Sequence, residues 1–173
     1  MGDVLERSGE SRERFYSCFS GREECFTAAY KWFAGDLAER MLAAGCKEAT
    51  WCQGVGRALE VLLDFVAAEP AIASALTVEV RAVRSATVAH EEVLGRLAQA
   101  VDQARREPGA RAWVPPRVAP LMVGAVESYL RTMLVLRESE RAPDVLGDLV
   151  FHFVINYFGE EAAFEAMDSV KDR

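Results

Sequence analysis

The chain has 173 residues, about half of them apolar, and a formal net charge of −7. That length carries one ordinary core with at most a small appendage. The acidic total excludes a general electrostatic pull toward nucleic acid, so any DNA contact must be local. No unbroken apolar run approaches the roughly 18–20 residues of a bilayer span, so no membrane partner is expected.

The N-terminus lacks a basic segment followed by an apolar run, which points to a cytoplasmic chain rather than an exported one. Cys18, Cys25, Cys46 and Cys52 are then expected as reduced, mostly buried thiols. No pair is spaced CxxC, and no histidine stands at a zinc-finger distance from them.

Strand signals are nearly absent, and helical spacing recurs throughout, so the fold class expected is all-α. Gly2 to Arg7 can make a short helix, and Ser8-Gly9-Glu10 reads as a tight turn in which glycine permits a positive φ. Ser11 is placed to cap a second short helix carrying Arg12, Arg14, Phe15, Tyr16 and Phe19. Ser20-Gly-Arg-Glu23 fits a capping box for a long helix. That helix carries the stripe Phe26, Tyr30, Phe33, Leu37 and Met41 and ends near Gly45.

A further helix is expected from about Trp51 to Ala68, with Val55, Leu59, Leu62 and Val66 facing inward. Glu69-Pro70 stops it, and Pro70 can open the next. The helical stretch that follows reaches Arg106 with a break between about Glu79 and Ser85; Leu94, Leu97 and Val101 mark its inner face. Pro108-Gly109 and Pro115-Pro116 bracket a loop holding Trp113. The Pro116–Arg137 stretch is helical. Ala142-Pro143 opens another helix that Gly159 ends, and a short terminal helix holds Phe164 and Met167.

Two short helices joined by a glycine turn form the helix-turn-helix pattern, whose second helix enters the major groove. The run from Ser11 to Tyr30 resembles the recognition helix and following helix start of TetR-type transcriptional regulators. The matching residues are Ser11, Arg12, Phe15, Tyr16, Phe19, Arg22, Glu23 and, one place late, Cys25-Phe26. Glu13, Arg14 and Cys18 depart from the family's usual residues at their positions.

The resemblance implies a partial helix-turn-helix DNA-binding domain over residues 1–26, lacking the family's first helix. A helical ligand-binding and dimerisation domain over residues 27–173 would follow. It also implies a homodimeric regulator, a repressor released from operator DNA by a partly apolar small-molecule effector. Ser11, Arg12, Arg14, Tyr16 and Ser17 would then face DNA, with Arg22 on a phosphate, where a helix N-terminus already favours an anion. Met1 to Phe26 holds six acidic and four basic residues, so the alternative is a dimeric helical small-molecule-binding protein that has lost DNA reading.

The helix from Pro143 to Phe158 is apolar on nearly all sides and needs cover all round. A second copy of the chain is the expected cover. It would pair there with the Pro116–Arg137 helix through Met122, Tyr129, Met133, Val145, Leu149, Phe153 and Tyr157. A helix wholly enclosed by its own chain is the alternative. Candidate pocket residues are Trp32, Phe33, Phe65, Glu79, Arg81, Met122, Glu127 and Tyr129, because small-molecule sites are mostly apolar with a few polar groups. His90, beside Glu91 and Glu92, reads as a solvated helix face. Asp148 and His152 could face each other, but with no second such pair neither a metal nor a cofactor is expected. No nucleophilic or phosphate-binding motif supports an enzyme.

Overall fold

The computed structural model describes residues 9–171, so the helix expected over Gly2 to Arg7 lies outside the described residues. The fold is all-α: eight α-helices and no strand occur among the described residues. They are α1 (Arg12–Cys18), α2 (Arg22–Gly45), α3 (Trp51–Ala68), α4 (Pro70–Thr77), α5 (Arg84–Asp102), α6 (Val118–Leu136), α7 (Leu146–Phe158) and α8 (Glu160–Lys171). Short 3₁₀ segments at Glu79–Ala82, Gln103–Arg106 and Ser139–Val145 link them.

Most boundaries follow local chemistry. Gly9 takes φ +68°, as the turn requires, and the Ser11 hydroxyl accepts the Arg14 N–H at 3.1 Å. Thr50 caps α3 in the same way through the Gln53 N–H. Pro70 sits in the first turn of α4, where its missing N–H costs nothing. Gly159, at φ +97°, separates α7 from α8.

Two local expectations are corrected. At the start of α2 it is Glu24, not Glu23, that reaches back. Its carboxylate accepts from the Ser20 N–H at 2.7 Å and the Ser20 hydroxyl at 2.6 Å, while Gly21 provides no side-chain cap. Ala142-Pro143 lies within a 3₁₀ segment, and α-helical bonding begins only at Leu146. Proline has no N–H to offer an α-helical bond.

The main core joins α3, α6, α7 and α8 through residues such as Leu63, Val150, Val154 and Tyr157. A satellite core of Tyr30, Ala34, Val80, Ala86 and Ala89 ties the first half of α2 to α5 and the 3₁₀ segment before it, with Phe26 against it. α2 is one continuous helix from Arg22, so the expected division between residues 26 and 27 falls inside it.

α2 and α3 meet backbone to backbone at Gly45 and Gly54. A Cβ at Gly54 would lie 2.7 Å from the Gly45 carbonyl oxygen, and one at Gly45 would lie 2.9 Å from that of Gly54. The loop between α5 and α6 is pinned from inside. Arg105 bonds the Val114 and Pro115 carbonyls and pairs with Asp102 at 2.7 Å, and Asp102 accepts the Tyr157 hydroxyl at 2.9 Å.

The expectation that a second copy covers α7 changes here. After Gly159 the chain turns back, and α8 packs along α7 with α3 on another side. Phe153 and Tyr157 are buried by this chain alone, as are Leu149, Met122 and Met133. A side chain already enclosed has no surface left for a partner. Of the seven expected interface residues only Tyr129 is exposed, and Val145 is half-buried. Of the large apolar side chains that remain exposed, four are on α6: Leu121, Tyr129, Val135 and Leu136; on α7 and α8 together only Phe164 is, among the described residues. α6 alone is long and apolar enough to cross a membrane by itself among the described residues. Its inner face is committed to the core and bears Glu127, which is ion-paired.

The thiols also differ from expectation. All four are unpaired, but Cys18 and Cys46 are exposed and Cys25 and Cys52 only half-buried. Cys18 lies on the outer face of α1 and Cys46 in the turn after α2, where nothing packs over them. Burial raises the Cys52 thiol pKa, with the Glu107 charge adding to it.

Candidate ligand cavity and outer helix face

A cavity of about 440 Å³ lies between the two cores, within the usual range of roughly 300–1,000 Å³ for small-molecule sites. α2 forms one wall through Tyr30, Ala34, Leu37, Ala38, Met41 and Gly45. These recur every three or four residues, so they share one face. Tyr30 to Gly45 spans about 22 Å at 1.5 Å per residue, which makes the cavity long. α3, α5 and α6 supply the facing walls, with Trp51, Phe65, Leu94, Leu97 and Val126 among them. The space exists because Ala34 and Ala38 present so little side chain.

The stripe read on α2 therefore needs correction at one position. Phe33 is exposed and packs edge-on against Trp32 on the outer face, with ring centroids 4.6 Å apart. The buried row runs through Ala34 and Ala38 instead.

One end of the cavity carries a chain of polar groups. The Tyr30 hydroxyl and His90 Nδ1 lie 2.9 Å apart. His90 Nε2 faces Glu127 Oε1 at 3.6 Å, too long for a hydrogen bond, and has no other partner. Glu127 Oε1 accepts from Arg81 at 3.0 Å. Burial raises the Tyr30 pKa, helped by the charges of Glu127 and Glu91, so the phenol stays protonated. Burial also lowers the His90 pKa, Arg81 adding to it and the nearby carboxylates opposing. The imidazole is thus neutral at pH 7, and the Tyr30 bond can run in either direction.

His90 is 4% exposed, which overturns its reading as a solvated face. Glu91 and Glu92 are exposed, but the helix turns His90 away from them and under α2.

Of the expected pocket residues, Phe65 and Glu127 line the cavity. Arg81 stands behind the wall and reaches it through Glu127. The other five do not line it. Trp32, Phe33 and Tyr129 are exposed on outer faces, Glu79 is exposed on its 3₁₀ segment, and Met122 is in the core. Tyr30 and His90 were missed. Tyr30 was readable as an inward position of α2, but its partner lies 60 residues away.

The outer face of α1 presents Ser11, Arg12, Arg14, Tyr16 and Ser17, all exposed, over a base of buried Phe15 and half-buried Phe19. Arg22 is exposed at the first position of α2. Three groups on this face are already engaged, Ser11 among them as the cap of α1. Arg14 pairs with Glu10 at 3.1 Å, and the Ser17 hydroxyl donates to the Arg14 carbonyl at 2.7 Å. Glu13 is exposed beside them.

His152 Nε2 is buried without a hydrogen-bond partner, and Asp148 on the turn before it is exposed. No three His, Cys, Asp or Glu side chains come together as a metal-ligand set among the described residues. Compared with protein-family models, with curated proteins and with solved structures, the chain matches none.

Proposed function

We propose that this chain is a ligand-responsive, DNA-binding transcriptional regulator, a homodimeric repressor released from its operator when a small molecule occupies the α2 cavity. The observation that carries the reading is the double role of α2. One face of this helix walls the cavity from Tyr30 to Gly45, and its other end begins with Arg22 and follows α1 by a short link. A molecule in the cavity therefore touches the helix that bears Arg22 and follows directly on α1, which carries the other candidate DNA-facing groups.

The exposed hydroxyls and guanidinia of Ser11, Arg12, Arg14, Tyr16, Ser17 and Arg22 suit phosphate and base-edge contacts. The apolar outer face of α6, with Leu121, Tyr129 and Leu136, suits a two-fold partner helix. A second reading, a dimeric small-molecule-binding protein that has lost DNA reading, is favoured by the Glu10–Arg14 pair and by exposed Glu13.

Selection from a pool of randomised duplexes tests the first reading. Near-palindromic sequences should be enriched, and their affinity should fall steeply with salt. Arg22→Ala should shallow the slope of log affinity against log salt by about 1 for each phosphate no longer neutralised. No enrichment over the starting pool refutes DNA reading; ligand binding without it supports the second reading.

A further inference from the structure

The wall of the cavity carries no lysine or arginine but three carboxylates, Glu48, Glu107 and Glu127. Glu48 is offset by Arg57 at 3.6 Å and Glu127 by Arg81 from behind the wall. Neither cation reaches the lumen. At the Glu127 end, His90 Nε2 is enclosed and unbonded, and it lies beside a carboxylate with acceptor capacity to spare. Aromatic faces of Trp51, Phe65 and Phe153 line the remainder.

We infer that the cavity selects a long, largely apolar amine, whose ammonium group seats between Glu127 and His90. This rests on the cavity being the effector site of the proposed regulator. The ammonium donates one N–H to the Glu127 carboxylate and a second to His90 Nε2. His90 meets that demand by carrying its proton on Nδ1 and donating it to the Tyr30 oxygen, the reverse of a bond the free pair can make with Tyr30 as donor. Both acceptors are then satisfied, and the ammonium shares the Glu127 carboxylate with Arg81 through charge-assisted bonds, which are stronger than neutral ones. A carboxylate ligand at the same place meets Glu127 as a like charge and finds a single donor, His90 Nε2–H. A neutral alcohol can donate to Glu127 but brings no charge.

Three probes with one chain length separate these cases: decylamine, 1-decanol and decanoate, each titrated calorimetrically at pH 7 below micelle formation. Decylamine should bind at least tenfold tighter than decanoate, with decanol between. Glu127→Gln should remove the decylamine preference over decanol, and an unchanged circular dichroism spectrum reports that the variant is folded. General adsorption of a cation to the acidic surface would persist in Glu127→Gln. Decanoate binding as tightly as decylamine overturns the amine inference and leaves the effector-site reading standing. So does a decylamine preference that survives Glu127→Gln. Binding by none of the three overturns both. Should Glu127→Gln fail to fold, the ranking on the unaltered chain at high salt, which screens adsorption to the surface, decides.

Discussion

A single methyl group at Gly54 tests the closest contact in the fold. The built Cβ lies 2.7 Å from the Gly45 carbonyl oxygen, and because both atoms belong to helix backbone, no flexible side chain can yield. Overpacking of this kind costs about 1–3 kcal/mol. The same change removes a glycine from a helix interior, which returns about 0.8–1.0 kcal/mol. Gly54→Ala should therefore range from neutral to about 2 kcal/mol destabilising. Gly95 supplies the control: it lies within α5, and an added Cβ there meets nothing within 4 Å. Gly95→Ala keeps the propensity gain without the clash and should stabilise by about 0.8–1.0 kcal/mol. The difference between the two variants is the clash itself, about 1–3 kcal/mol. For a chain of this size each kcal/mol moves Tm by about 2–4 °C, so calorimetric melting should separate them by about 2–12 °C. A Gly54→Ala melt at or above that of Gly95→Ala refutes the backbone contact.

Tyr30→Phe removes the partner of His90 Nδ1 and leaves a buried polar atom unpaired, so chemical denaturation should show a loss of about 1–3 kcal/mol; an unchanged midpoint means the bond is not made. His90 and His152 are both held below the usual histidine pKa, mainly by burial. Below about pH 6.5 the unfolded chain takes up protons that the fold refuses, so stability should be full above that pH and decline as pH falls from 7 toward 5. Denaturant midpoints across this range measure it, with a shallower decline in His152→Leu; a flat profile contradicts the burial of both rings. Under the proposed homodimer, light scattering should find the unaltered chain dimeric and Leu121→Glu with Tyr129→Glu, two charges on the outer face of α6 that do not touch the core, monomeric; a monomeric unaltered chain refutes the dimer, and a double variant that stays dimeric moves the interface elsewhere.

Helix boundaries were legible in the sequence wherever their cause is local. Ser11, the Glu69-Pro70 stop and Gly159 each act through their own backbone or the next turn, and each stands where the spacing put it. The break expected between Glu79 and Ser85 is the 3₁₀ segment Glu79–Ala82 and the start of α5. The cavity was not legible, because it is made by what side chains lack. Ala34 and Ala38 look like ordinary small core residues until α3 and α5 are placed opposite them. Large aromatics attracted the pocket reading to Trp32 and Phe33, yet they pack on each other outside. His90 misled for a related reason: its sequence neighbours are acidic, but a helix sends adjacent residues some 100° apart. α7 was read as covered on all sides, but only one side is buried: Phe151, Ile155 and Phe158 are half-buried and Asp148 is exposed. Its cover was misassigned, because a twelve-residue amphipathic helix after Gly159 gave no sign of where it would dock.

These observations combine in α2. Its C-terminal end is fixed on α3 by the Gly45–Gly54 contact, where the backbones cannot approach further. Its N-terminal half is held on α5 by the satellite core and by two polar links, Tyr30 to His90 and the Thr27 hydroxyl to Ser85 at 2.8 Å. The cavity occupies the space between. An object wedged under such a beam displaces the N-terminal half rather than the backbone contact, because that half is held by a small core of mostly alanines and by two hydrogen bonds whose exchange costs about 1 kcal/mol each. Arg22 lies 23 residues from Gly45, about 34 Å along the axis, so a tilt of about 5° moves it by about 3 Å. That is comparable to a hydrogen-bond length, enough to take a side chain off a phosphate. Under the proposed function, then, the polar end of the cavity is both the place where a ligand is read and the joint through which its presence reaches α1.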